Sequence, residues 1–296
     1  MPHHKLDMQY GTVNYCEFGD IRKPTIVCIH GLAGNGFYSF GELVPFLKED
    51  FHLITLDMPG HGKTNPFPEE EDYLFSNLAG WLEEAINVIL QKPYYIMGHS
   101  WGADVALHFS RRFPRNVQGL LLLDGAFTFP QNQPEMTFEY AYAGWTEYLA
   151  RSVFESENDL FQEYRGYTKK WDSRKEHYTR ALFQTSSSNK YELITTKFTV
   201  LSIIKAFFKE PFSKAYPDIK IPTVLIHADH PKELTDARTK GILQLKRSIN
   251  DVAIACLPNS SHMLQWDYPE ETAKLVMDWI TDKTSVKVSF GKLKHK

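Results

Sequence analysis

Three cysteines, Cys16, Cys28 and Cys256, stand far apart in a chain of 296 residues. That is too few for a disulfide framework, their spacing suits no metal, and they fit a reducing compartment. No apolar run approaches the roughly 20 residues of a membrane span, and the first twenty residues hold no apolar stretch of the kind a secretion signal needs. Charge of one sign is also scarce. The 33 basic and 36 acidic residues leave a net charge of −3, so no broad basic field exists to attract nucleic acid or an anionic membrane. Internal repeats and low-complexity linkers are absent. The sequence therefore reads as a soluble, cytoplasmic protein without a nucleic-acid partner or a membrane span, and it carries no signal for an oligomeric state. What it has is ample core material: 43% apolar and 14% aromatic residues, an ordinary globular profile.

Short apolar runs alternate with helical patterns. Thr25–Gly31, Phe51–Gly60, Tyr94–Ser100, Val117–Gly125, Pro222–Asp229 and Asp251–Pro258 are nearly all apolar and end in polar, Gly or Pro punctuation, as buried parallel strands do. Leu74–Leu90, Gly102–Phe113, Glu233–Arg247 and Glu270–Thr281 read as helices between them. This alternation predicts an α/β fold, a mostly parallel sheet covered on both faces. Met8–Phe18 suits an antiparallel edge strand or hairpin, and the basic tail SVKVSFGKLKHK is expected to fray. From Phe127 to Tyr216 no clean strand is visible, and 20 of the chain's 41 aromatic residues fall in these 90 positions. We read 128–218 as a helical cap inserted into a core made of 1–127 and 219–296. Most of its rings should fill the cap's own interior, with a minority lining a pocket.

The strongest chemical signal is Gly98-His99-Ser100-Trp101-Gly102, directly after one strand and directly before a helix. In G-x-S-x-G the glycines permit a tight turn that lifts the serine hydroxyl above the sheet, and the helix start directs N–H groups toward a developing oxyanion. His30-Gly31-Leu32 ends an earlier strand, where the N–H of Leu32 can join that of Trp101 as an oxyanion donor. His262 lies in a loop between the last strand and the last helix, and a neutral imidazole is the natural base for a serine. His61 and His108 read as structural. His227, Asp229 and His230 lack a convergent ligand set, so no metal is expected. Nor is a cofactor: the glycines of GLAGNG are in the wrong order for dinucleotide binding, and the Gly62-Lys63-Thr64 sequence has Asp57 where a phosphate loop needs its first glycine.

Taken together, HGLAGNG, LDMPGHGKT, GHSWG, LLLLDG, PTVLIHAD and PNSSHMLQWDYPEE resemble the α/β-hydrolase fold family over nearly the whole chain outside the cap. The resemblance implies Ser100 as nucleophile, His262 as base, and Leu32 and Trp101 as oxyanion donors. In most relatives the acid stands nine residues after the proline that opens the second-last strand. Here that proline is Pro222 and the position holds Pro231. A branch similar to the haloalkane dehalogenases carries its acid at the end of the strand before the cap, where this chain has Asp124. Asp124 is thus the expected acid, with Asp229 as the alternative. That branch uses an aspartate nucleophile, whereas a serine attacking an alkyl halide or epoxide would leave an ether that water cannot cleave. The expected activity is hydrolysis of a small-molecule carboxylic ester, lactone or thioester through an acyl-enzyme. An aminopeptidase, C–C hydrolase or perhydrolase would use the same residues. The reading from another class is a ligand sensor on the same fold that turns over slowly or not at all, which Pro231 mildly favours.

Overall fold

A computed structural model describes residues 3–281; the basic tail lies outside the described residues. The strands, in chain order, are β1 His3–Met8, β2 Gly11–Phe18, β3 Thr25–Ile29, β4 His52–Leu56, β5 Tyr94–His99, β6 Val117–Leu123, β7 Val153–Phe154, β8 Phe183–Thr185, β9 Tyr191–Leu193, β10 Thr223–Ala228 and β11 Val252–Leu257. Eight of them form one sheet in the order β1-β2-β4-β3-β5-β6-β10-β11. From β4 to β11 neighbours run parallel, while β1 and β2 form an antiparallel hairpin at one edge. The hairpin begins at His3, earlier than the Met8 start expected from sequence. The α/β hydrolase fold anticipated above is this mostly parallel eight-stranded sheet with helices around it.

The central strands are buried along their whole length, so they bury both faces. Alternate residues divide between two cores. Val27, Ile29, Ile96, Leu120, Leu122 and Leu225 pack beneath the helices Phe75–Ile89 and Trp101–Arg112. Ile26, Cys28, Met97, Leu121, Leu123 and Ile226 pack on the other face against Val276 and Trp279 of the helix Pro269–Thr281. The two-residue side-chain period of a strand makes this division automatic. It also fixes the register that carries the loops 30–34, 98–101 and 124–126 to the same edge of the sheet.

Between β6 and β10 the chain leaves the sheet. This stretch holds the helices Phe138–Arg151, Glu157–Arg165, Ser173–Arg180 and Lys197–Lys209. It also holds what the sequence did not announce, a three-stranded antiparallel sheet ordered β7-β9-β8. Strands of two or three residues are too short for alternation to register, so the reading of no strand in this span is corrected. A third apolar cluster, including Leu160, Tyr164, Tyr178 and Phe183, joins this insertion to Tyr38, Met263 and Trp266 of the core. A buried ion pair reinforces the junction: Lys175 Nζ lies 3.2 Å from Glu42 Oε2, and the two side chains are 2% and 1% exposed.

Candidate active site

β5 ends at His99 and the helix Trp101–Arg112 begins one residue after Ser100. The turn is so tight that Ser100 takes φ 54°. Such a turn tolerates no side chain at its flanks: a Cβ on Gly98 would lie 2.1 Å from the Gly102 carbonyl oxygen, and one on Gly102 would lie 2.2 Å from that of Ile29. The Ser100 N–H donates to the carbonyl of Leu123 at 2.9 Å, which ties the elbow to the end of β6.

Asp124 follows β6 directly with φ 43°. Its N–H donates to Ile226 O at 2.9 Å, and its Oδ1 accepts from the Ala228 N–H at 3.0 Å. Its Oδ2 lies 2.7 Å from His262 Nδ1, and His262 Nε2 lies 2.8 Å from Ser100 Oγ. With Nδ1–H donating to the carboxylate, Nε2 is left to accept the serine proton. Burial alone would raise the Asp124 carboxyl. The hydrogen bond and charge of His262, with the Ala228 N–H, outweigh burial and hold it below the usual range, so it stays ionised. Asp229 is not brought to this cluster. Its two oxygens are taken by His230 Nδ1 at 2.8 Å and Lys232 Nζ at 2.7 Å.

The loop 31–34 crosses beside the serine. The Gly31 N–H donates to Ser39 Oγ, Gly34 N–H to Gly31 O, and Ala33 N–H to His61 Nε2. Leu32 keeps its N–H unpaired among the described residues. Trp101, as the first residue of its helix, has an N–H without an intrahelical acceptor. Leu32, Trp101 and Ser100 all border one cavity of about 250 Å³ beside the elbow. A larger cavity of about 610 Å³ lies above Ser100, between the core loops and the insertion.

Two supporting residues were not evident from sequence. His99 donates from Nε2 to the His262 carbonyl at 3.0 Å, and its ring lies 5.0 Å from that of His262. Burial, then the neighbouring His262 charge, lowers His99 to about 3, so it stays neutral. Asp267 is fully buried and accepts from the Ser261 N–H at 2.7 Å, Thr168 Oγ1 at 2.9 Å and the Lys169 N–H at 2.8 Å. It thereby fastens the loop that carries His262 to the insertion. Only spatial neighbourhood identifies either role. The loop 30–34 also rests on histidine: His30 Nε2 accepts from Met58 N–H, and burial keeps both His30 and His61 neutral. Among the described residues no cluster of three or more His, Cys, Asp or Glu could hold a metal ion, and no helix is long and apolar enough to cross a membrane.

A family model described as alpha/beta hydrolase fold matches residues 24–269. The human "Serine hydrolase-like protein" is 29% identical over 120 residues, which are 40% of this chain and 59% of that protein. The chain spans 38–59% of the length of the first four curated relatives it matches. "Epoxide hydrolase 3" of Xenopus tropicalis is 23% identical over 91% of this chain and 74% of that one. The solved structure of E-2-(acetamidomethylene)succinate hydrolase superposes with a TM-score of 0.77 at 20% identity, covering 95% of this chain and 99% of that one.

Proposed function

Because the chain belongs to the α/β hydrolase fold family, we propose that it is a serine hydrolase that cleaves a carboxylic ester, lactone or thioester through an acyl-enzyme. The observation that carries this reading is the unbroken line Ser100 Oγ–His262 Nε2, His262 Nδ1–Asp124 Oδ2 at 2.8 and 2.7 Å. In this reading His262 takes the hydroxyl proton as Ser100 attacks the carbonyl, then returns it to the leaving alcohol, thiol or ring oxygen. Asp124 keeps Nδ1–H directed at itself and stabilises the imidazolium. The N–H groups of Leu32 and Trp101 receive the oxyanion, where one such donor is typically worth about 3–4 kcal/mol in the transition state. Water activated by the same histidine then cleaves the acyl-enzyme. The insertion, residues 128–218, serves as the cap over the larger cavity.

Similarity to an epoxide hydrolase does not alter this reading. The position of the nucleophile holds Ser100, and an ether formed from a serine and an epoxide would be a dead end. The sensor reading drew its support from Pro231 at the usual place of the acid. With Asp124 against His262, Pro231 no longer counts in its favour. The test is labelling with a serine-directed fluorophosphonate together with turnover of p-nitrophenyl esters. One equivalent of label should enter at Ser100, and Ser100→Ala should abolish labelling and lower turnover by orders of magnitude, on the order of 10⁶ where a triad nucleophile is removed in a well-studied enzyme. Turnover within tenfold of wild type in that variant would refute the assignment.

A further inference from the structure

The larger cavity is walled mostly by apolar groups, and no Lys, Arg, Asp or Glu borders it. Besides the serines and histidines beside Ser100, its wall carries five phenols, of which Tyr38, Tyr148, Tyr164 and Tyr167 converge. The hydroxyls of Tyr148 and Tyr164 lie 3.1 Å apart. The Tyr164 ring meets Tyr38 and Tyr167 edge-on, with centroids 6.3 and 5.2 Å away. Tyr38 is only 9% exposed, and its hydroxyl has no hydrogen-bond partner among the described residues. Its backbone is clamped at both ends, the N–H by Asn35 Oδ1 at 2.7 Å and the carbonyl by Trp266 Nε1 at 2.9 Å. The phenol is therefore held in place before any ligand arrives.

Ring packing alone does not account for these hydroxyls. In the same cluster Phe37, Phe154, Phe161 and Phe183 fill space without one. Phenylalanine would pack as well without placing a hydroxyl at the cavity wall. Donor counting shows what the wall lacks. Tyr148, Tyr164 and Tyr167, joined by two hydrogen bonds through Tyr148, leave one of their three protons to donate, and Tyr38 offers a second. Burial raises Tyr38 and Tyr164 well above the ordinary phenol value, so both remain un-ionised donors. With no charged side chain on the cavity wall, an anion would be left without a counter-charge there.

We propose that the tyrosine-lined wall of this cavity is a specificity subsite for an uncharged acceptor oxygen, a keto, ether or hydroxyl oxygen, on an otherwise apolar substrate. The proposal deepens the hydrolase reading and rests on it for the position of the scissile bond. The substrate class is then an oxygenated, uncharged acyl or alkyl ester rather than a plain fatty ester.

The experiment compares hexanoate esters of p-nitrophenol with their 3-, 4- and 5-oxo counterparts, and hexyl acetate with the matching oxohexyl acetates. Turnover is measured on the full-length wild type, and binding of the intact esters on Ser100→Ala. A neutral hydrogen bond at the right position should raise kcat/KM about fivefold to tenfold over the parent ester and lower the Kd by a similar factor. In Tyr38→Phe and Tyr148→Phe the ratio of oxo to parent ester should fall toward one. Because each ratio is taken within one variant, a general loss of activity cancels. If no oxo position in either series is preferred, in turnover or binding, the subsite is overturned while ester cleavage stands. If the ratio survives both phenylalanine substitutions, the tyrosines are overturned as its source. If no ester is turned over but Ser100→Ala prefers the oxo esters, the subsite stands and the hydrolase reading falls.

Discussion

Replacing Asp124 by asparagine changes one atom's chemistry at a fully defined place. Asp124 Oδ1 accepts from the Ala228 N–H at 3.0 Å, and asparagine can keep that bond with its own carbonyl oxygen. The amide nitrogen must then occupy the Oδ2 position, 2.7 Å from His262 Nδ1. An amide N–H donates, so Nδ1 has to become the acceptor and the ring proton moves to Nε2. Nε2–H then faces Ser100 Oγ at 2.8 Å and can no longer take its proton. The fold survives and the base is disabled by its tautomer, which should lower kcat by about 10⁴ for ester substrates. Asp229→Asn touches only His230 and Lys232 and should leave kcat within about threefold. The measurement is steady-state ester hydrolysis from pH 6 to 9, with circular dichroism as a check on folding. Full activity in Asp124→Asn, or a loss confined to Asp229→Asn, would refute the assignment of the acid.

Stability should depend on pH through His99. Its folded value of about 3 lies below the 6.5 of a free histidine, so the unfolded chain binds the extra proton and stability falls as pH drops from 6.5 toward 3. Between pH 6.5 and 5 this group alone should remove about 2 kcal/mol at about 1.4 kcal/mol per unit. Urea titrations at pH 7.5 and 5 should therefore show a gap that narrows by that amount in His99→Gln, and an unchanged gap would rule the linkage out. Gly102→Ala would place a methyl group 2.2 Å from the Ile29 carbonyl oxygen, so a loss of about 3 kcal/mol or failure to fold is expected in the same titration. Asp267→Ala leaves three donors unpaired; the melting temperature should fall with roughly 3–5 kcal/mol of stability, and kcat should drop as the His262 loop loosens.

Strand–helix alternation carried most of the fold. The six buried strand segments are dense in β-branched and aliphatic residues, and a parallel sheet with both faces covered demands that. The serine elbow was legible because its glycines answer a local steric requirement that adjacent residues record together. The place of Asp124 at the edge of the sheet was legible through the strand it ends. The strands of the insertion were not, because two or three residues cannot display a period. Nor were His99 and Asp267, whose roles depend on bonds to His262 and Ser261 made across the fold. The phenol cluster draws on positions 38, 148, 164 and 167, and no pattern along a chain marks residues that meet only after the insertion has docked.

The Glu42–Lys175 pair bears on solvent conditions. Exposed ion pairs weaken as salt is added, because mobile ions screen them over about 8–10 Å at physiological strength. Lys175 and Glu42 are shut off from those ions, being 2% and 1% exposed, while Arg174 approaches the same carboxylate from the outer side at 3.4 Å. Brine should strip the contribution of the outer arginine and spare the inner lysine. Breaking the inner pair by Lys175→Met would leave the buried Glu42 carboxylate with only the outer Arg174 as its cationic partner, at a cost of up to about 3–5 kcal/mol. The Ser173–Arg180 side of the insertion is thus riveted to the body of the protein. Nearly every residue of the helix Phe138–Arg151, by contrast, is exposed or half-buried, with Ala141 the exception. Displacing that helix, unlike the Ser173–Arg180 side, would uncover no buried ion pair among the described residues.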